Sequence, residues 1–134
     1  MKSVTKTLIL ALVAIVVNVN AFAAIDVDKT TEKAREAVEA ASPDDWHTYA
    51  EAAEKCIKKG VNLKEAAAWI KRSVEIKETS YNLKVLGSYY ELNKLPEQAV
   101  EAYSKSIRVG KIEDKNYADK ATQDKIVKLV RQLG

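Results

Sequence analysis

From Thr30 to Leu133 helix-forming residues run almost without interruption, and the few breakers sit where helices would open or close. The whole chain of 134 residues holds 4 Gly and 2 Pro, too few for the many turns of an all-β fold. Pro43 and Pro96 stand where helices open, and Gly60 and Gly110 where they close. The first helix is predicted over Thr30–Ala41, with a thin apolar stripe of Ala34, Ala37, Val38 and Ala41. Ser42-Pro43-Asp44-Asp45 offers a cap, a first-turn proline and two acids for the second, which runs to Lys59. Asn62-Leu63-Lys64-Glu65 resembles a capping box opening a third helix to Lys77. Thr79 and Ser80 offer caps for a fourth, ending near Asn93, and Pro96 to Gly110 makes a fifth. The sixth covers Asp119 to Leu133, with Ile126, Leu129, Val130 and Leu133 on one side. No segment alternates as a strand would, so the expected class is all-α.

The N-terminus has a different character. Lys2 and Lys6 precede an apolar run of ten, Leu8 to Val17, and Ala21-Phe22-Ala23 follows before the first acid, Asp26. A charged start, a short apolar centre and an A-x-A end are the three parts of a secretory signal peptide. Ten helical residues span roughly 15 Å, about half the hydrocarbon thickness of a bilayer. Export with cleavage after Ala23 is therefore expected, with Ala21 as a second site, and a retained membrane anchor is the alternative. Cleavage after Ala23 leaves 111 residues, 24–134, with 20 basic and 19 acidic side chains. So balanced a chain makes no demand for nucleic acid or anionic lipid.

One Cys and one His exclude a disulfide framework and a metal site of ordinary ligand count, and no cofactor is expected. His47 lies near Asp44 and Asp45, but this reads as a helix N-terminus and not as a metal or acid–base cluster. Cys56 is nine residues from His47, about 13 Å along a helix, too far for a dyad. It is expected to be a small buried residue. Trp46 and Trp69 are expected in the core or at a cap. No Gly-rich phosphate loop, serine elbow or zinc helix motif is present, and catalysis is not expected.

Two helix pairs repeat. The second helix aligns with the fourth at a shift of 34, pairing Tyr49 with Leu83, Ala52 with Leu86, Ala53 with Gly87 and Cys56 with Tyr90. The third aligns with the fifth at 33, pairing Ala66 with Ala99, Ile70 with Tyr103, Ser73 with Ser106 and Val74 with Ile107. The slip of one falls in the turn, where a helical hairpin tolerates it. Gly87 inside a good helix costs about 1 kcal/mol against Ala, which implies a close approach of helices there. Tyr117, 34 beyond Leu83, hints that the last helix descends from a third copy.

The second copy, with Leu83-x2-Leu86-Gly87-x2-Tyr90 and then Ala99-x3-Tyr103, resembles a tetratricopeptide repeat, the 34-residue helix–turn–helix unit. It departs from the family at Leu83, where Trp is usual, and at Lys111, where Pro commonly ends the unit. The resemblance covers about residues 46–78 and 79–111. It implies hairpins stacked as a short superhelix, with the first helix and the helix at about 119–133 as caps. It also implies a concave groove lined by His47, Ala50 and Glu54 from the first copy and Tyr81, Lys84, Ser88 and Glu91 from the second. Carboxylate-clamp members of the family use Lys and Asn at the positions of Lys84 and Ser88, and Ser88 departs from that pattern. The expected role is a periplasmic or secreted, non-catalytic interaction module binding a segment of another envelope protein. The alternative is a self-associating or membrane-anchored structural subunit; binding of a small molecule between helices has no support in the sequence.

Overall fold

A computed structural model describes residues 28–134. These residues form six α-helices and no strand: α1 Lys29–Ala40, α2 Trp46–Lys59, α3 Leu63–Ile76, α4 Ser80–Leu92, α5 Pro96–Glu113 and α6 Lys120–Leu133. The segment read as a signal peptide lies outside the described residues. No described helix is long and apolar enough to cross a membrane.

Two hairpins, α2–α3 and α4–α5, form the body of the fold, and α4 also packs on α2 and α3. α1 packs on α2 at one end, and α6 packs on α5 at the other. One apolar cluster joins Ala34, Ala53, Cys56 and Ile70 to Val85, and a second gathers Ala99, Tyr103 and Leu129.

The hairpins repeat each other bond for bond. Ser73 Oγ donates to the Trp46 carbonyl at 2.6 Å, and Ser106 Oγ donates to the Ser80 carbonyl at 2.7 Å. Asp45 caps α2 through the Thr48 N–H, and Thr79 caps α4 through the Asn82 N–H, again 34 residues apart. The α2–α3 turn closes with Val61 N–H on the Cys56 carbonyl, and the α4–α5 turn with Leu95 N–H on the Tyr90 carbonyl. Both are Schellman closures. The next bond is already at a shift of 33, from Ala66 N–H to Asn62 O and from Ala99 N–H to Leu95 O. The extra residue therefore sits at Val61–Asn62.

Gly87 is explained by Tyr103. A β-carbon at position 87 would lie 2.5 Å from the Tyr103 ring, which is fully buried and cannot swing away. The 53/70 counterpart uses Ala53 with Ile70, a larger residue facing a slimmer one, and both are fully buried.

Several boundaries differ from the sequence expectation. Gly110 does not close α5; the helix continues to Glu113, and Gly110 is buried under the Tyr117 ring, 2.4 Å from where its β-carbon would be. Tyr117 lies in the turn before α6, where its hydroxyl accepts from Ser80 Oγ at 2.6 Å. α2 begins at Trp46 behind Asp45, so Ser42 and Pro43 belong to the preceding turn. Asn62 takes a left-handed conformation at φ 50° and makes no capping bond, so the expected capping box is not formed. On α6 Leu129 is buried and Ile126 half-buried, but Val130 and Leu133 are exposed, because α5 covers only one edge of the stripe.

Two stability tests follow from this geometry. Gly87→Ala lowers unfolding free energy by about 1–2 kcal/mol in urea, although Ala is the better helix former by about 1 kcal/mol. In a Tyr103→Ala background, the same change raises stability, because the obstructing ring is gone. Lys94, at φ 59°, occupies the turn position that Gly60 fills at φ 68° in the first hairpin. Lys94→Gly raises the thermal midpoint by relieving about 1 kcal/mol of left-handed strain.

Candidate functional site

α2, α4 and α6 enclose a groove of about 180 Å³, lined by Glu54, Lys58, Lys84, Ser88, Tyr103, Asp119 and Lys125, with Ile57, Val85, Ala121 and Thr122 as its less polar part. α2 and α4 lie side by side because the hairpins stack in register. α6 closes the third side, anchored by Leu129 against the Ala99–Tyr103 cluster.

The residues expected from the sequence fall into three linked groups. The exposed His47 ring stacks on Tyr81 at 5.6 Å between centroids, and the Tyr81 hydroxyl donates to Glu54 at 2.7 Å. Glu54 also pairs with Lys58 at 2.8 Å. Lys84 reaches across to Asp119 at 3.0 Å. Ser88 Oγ donates to the Lys84 carbonyl at 3.2 Å and touches the Tyr103 hydroxyl at 3.1 Å. That hydroxyl donates to Glu91 at 2.7 Å, and Lys125 binds Glu91 at 2.7 Å. Ala50, placed in the groove by the family resemblance, is instead fully buried in the core.

Asp119, Lys125, Lys58 and the Tyr103 hydroxyl are groove members that sequence reasoning missed. Asp119 carried a signal: it caps Thr122 with both carboxylate oxygens, through N–H and Oγ1, as Asp45 caps Thr48. The shared Asp-x-x-Thr marks α6 as opening in the manner of α2, which puts Asp119 beside the groove.

The electrostatics are those of paired charges. Burial disfavours the Asp119 carboxylate, but the Thr122 N–H and Oγ1 and the Lys84 ammonium outweigh it and hold its pKa at about 2, against 3.8 ordinarily. Burial likewise opposes charge on Glu91, and the hydrogen bonds from Lys125 and Tyr103 overcome it and lower its pKa. Lys125 is shifted up, its partial burial being outweighed by Glu91 and Tyr103. Burial, then the bond to Glu54, raises the Tyr81 phenol. The lysines of these pairs are 43–45% exposed, and exposed ion pairs contribute about 1 kcal/mol or less each, so an incoming carboxylate can compete for them. Asp119, only 14% exposed, keeps its bonds to Thr122 when Lys84 turns away. Among the described residues no cluster of His, Cys, Asp and Glu is placed to hold a metal ion.

No family model matches the chain, and no curated protein matches it.

The acid limb of stability carries the Asp119 contribution. Its folded pKa is depressed, so the stabilisation is complete above the ordinary 3.8 and is lost as pH falls toward about 2. Between those pH values, Asp119→Asn loses less thermal midpoint than the parent chain, measured by circular dichroism; equal slopes contradict the assignment.

Proposed function

We propose that the chain is an exported, non-catalytic interaction module of tetratricopeptide-like architecture that binds a segment of another cell-envelope protein in the groove between α2, α4 and α6. The observation that carries this reading is the bond-for-bond recurrence of one hairpin at shifts of 34 and 33, which lays α2 and α4 side by side along one groove. The motif from Leu83 to Tyr103 supports the family, and α1 and α6, packed at the two ends, support the role of caps for a short superhelix. The charged start, apolar run and Ala21-Phe22-Ala23 support export to the periplasm or beyond.

The groove chemistry suits a peptide segment. It offers lysines and carboxylates in alternation and a modest apolar floor at Ile57 and Val85, while the His47–Tyr81 stack lies outside its lining and reaches it only through the Tyr81 bond to Glu54. Lys84 is the cation an incoming carboxylate would meet, in competition with Asp119. Ser88 is committed to Lys84 O and Tyr103, so a second clamp donor at that position is weak. A segment read along its length fits better than one held only by a terminal carboxylate.

A second reading, a self-associating structural subunit, is favoured by one feature. Val127, Val130 and Leu133 on α6 are each 43–49% exposed.

The readings separate by site-specific photo-cross-linking in the full chain, with the reactive side chain at Ser88 in the groove or at the exposed Glu101 on α5. The interaction reading expects one envelope protein captured from Ser88 and not from Glu101, and Lys84→Glu to reduce that capture several-fold. Adducts of the chain with itself alone favour the second reading.

A further inference from the structure

The hairpin stack leaves a helix-sized position open at its N-terminal end. α3 packs on α4, and α2 lies along the groove between them, touching both. One step earlier α1 packs on α2, and the corresponding groove is an open cleft of about 480 Å³. The correspondence holds residue by residue. Val85, Leu86 and Tyr89 are the α4 side chains packed into the α2–α3 cluster, and Asn82 bonds Ser73 beside them. Thirty-four residues earlier stand Glu51, Ala52, Lys55 and Thr48, and all four line the open cleft.

The chemistry of the cleft differs from that of the filled groove. Its floor is Ala34, Ala37 and Ala52, small enough for a helix to approach at about 8–10 Å between axes. Its rim carries Lys33, Lys55, Lys58 and Lys59, against one lining acid, Glu51, among the described residues. Residues 28–134 hold 20 basic and 18 acidic side chains in all, so this excess is local. Lys33 has no ion-pair partner among the described residues, and Lys59 meets Asp28 only at 4.0 Å. Lys55 and Lys58 have exposed pairs with Glu51 and Glu54, which are worth little.

We propose that the α1–α2 cleft is a docking site for an acidic amphipathic helix of another protein, which takes the place that α2 takes against α3 and α4. Charge selects this occupant. Residues 1–23 of the chain itself bring Lys2 and Lys6 and no acid, so they repel the rim. A second copy offers Glu32, Glu36 and Glu39 on α1, but these lie on the side of α1 away from the cleft-lining Thr30, Lys33, Ala34 and Ala37. Pairing through them would build open head-to-tail chains and not a closed dimer. The site shares Lys58 with the rim of the α2–α4–α6 groove but none of its other lining residues, and it stands independently of what that groove binds.

The test uses the full chain and a labelled helical peptide of about 16 residues, Glu at i, i+4 spacing along one side and Leu and Ala along the other, beside a twin with Lys for every Glu. Fluorescence anisotropy is expected to show binding of the acidic peptide, weakened by salt, and none of its twin. Lys33→Glu with Lys55→Glu weakens binding by about tenfold or more, while Lys84→Glu with Lys125→Glu leaves it unchanged. Unaltered helical circular dichroism establishes that each variant folds. Absence of binding, equal binding of both peptides, or indifference to the Lys33/Lys55 change overturns the proposal. A full chain that is oligomeric by light scattering and becomes monomeric on that change overturns it in favour of a second copy.

Discussion

A buried serine hydroxyl on the second helix of each hairpin, donating to the first-residue carbonyl of the helix before it, sets the geometry of this fold. Ser73 does this to Trp46 and Ser106 to Ser80, and both serines are fully buried. A serine is small enough to let two backbones approach, and its hydroxyl is too costly to bury without an acceptor. The bond therefore fixes both the distance and the register of the hairpin. Asn82 adds a donor to Ser73 and another to the Lys77 carbonyl, tying the first hairpin to the start of the second. Ser80 passes the link on to Tyr117 and so to the turn before α6. This chain of small polar contacts aligns α2 with α4 and leaves one groove along their shared side.

The groove and the open cleft are two consequences of the same stacking. Where a neighbouring hairpin exists, the face turned toward it is covered; where the array stops, a face is left. At the C-terminal end α6 covers it, anchored by Leu129 and held across the groove by Lys84–Asp119 and Lys125–Glu91. At the N-terminal end α1 supplies half of a cover, and the positions filled by Val85, Leu86 and Tyr89 inside the stack are Glu51, the smaller Ala52 and Lys55. The two ends thus differ in charge as well as in shape, which makes distinct occupants a physical expectation.

Much of the fold was legible because the helical repeat acts locally. The shifts of 34 and 33 and the slip in the α2–α3 turn could be read from spacing, since each reflects contacts between residues on adjoining helices. Spacing also marked Gly87 as a close approach, but what approaches is the Tyr103 ring and not a neighbouring backbone. Burial of Cys56 followed from its repeat position, and Trp69, expected in the core or at a cap, is buried in the core. The end of α5 was misread because Gly110 has two uses that look alike in sequence, a helix stop and a seat for an aromatic ring, and only Tyr117 in the next turn decides between them. Asn62 stands at the N-cap position as expected but forms no capping box, because the extra residue of that turn puts it in a left-handed conformation that its side-chain type also suits. For the groove, repeat position places Glu54, Lys84 and Ser88 along its lining, but His47, Tyr81 and Glu91 lie outside that lining and Ala50 is in the core; Asp119 shows in sequence only as a cap, and Lys125 not at all. Their pairing with Lys84 and Glu91 spans about 35 residues and depends on where α6 comes to rest, which no periodicity encodes.

The central claim is that one serine-held hairpin occurs twice and positions everything else. The most direct measurement compares urea unfolding of Ser73→Ala and Ser106→Ala with that of Ser42→Ala, an exposed control. The two buried changes are predicted to cost similar amounts, about 1–3 kcal/mol each, and the control close to nothing. A buried serine whose removal costs no more than the control would contradict the account.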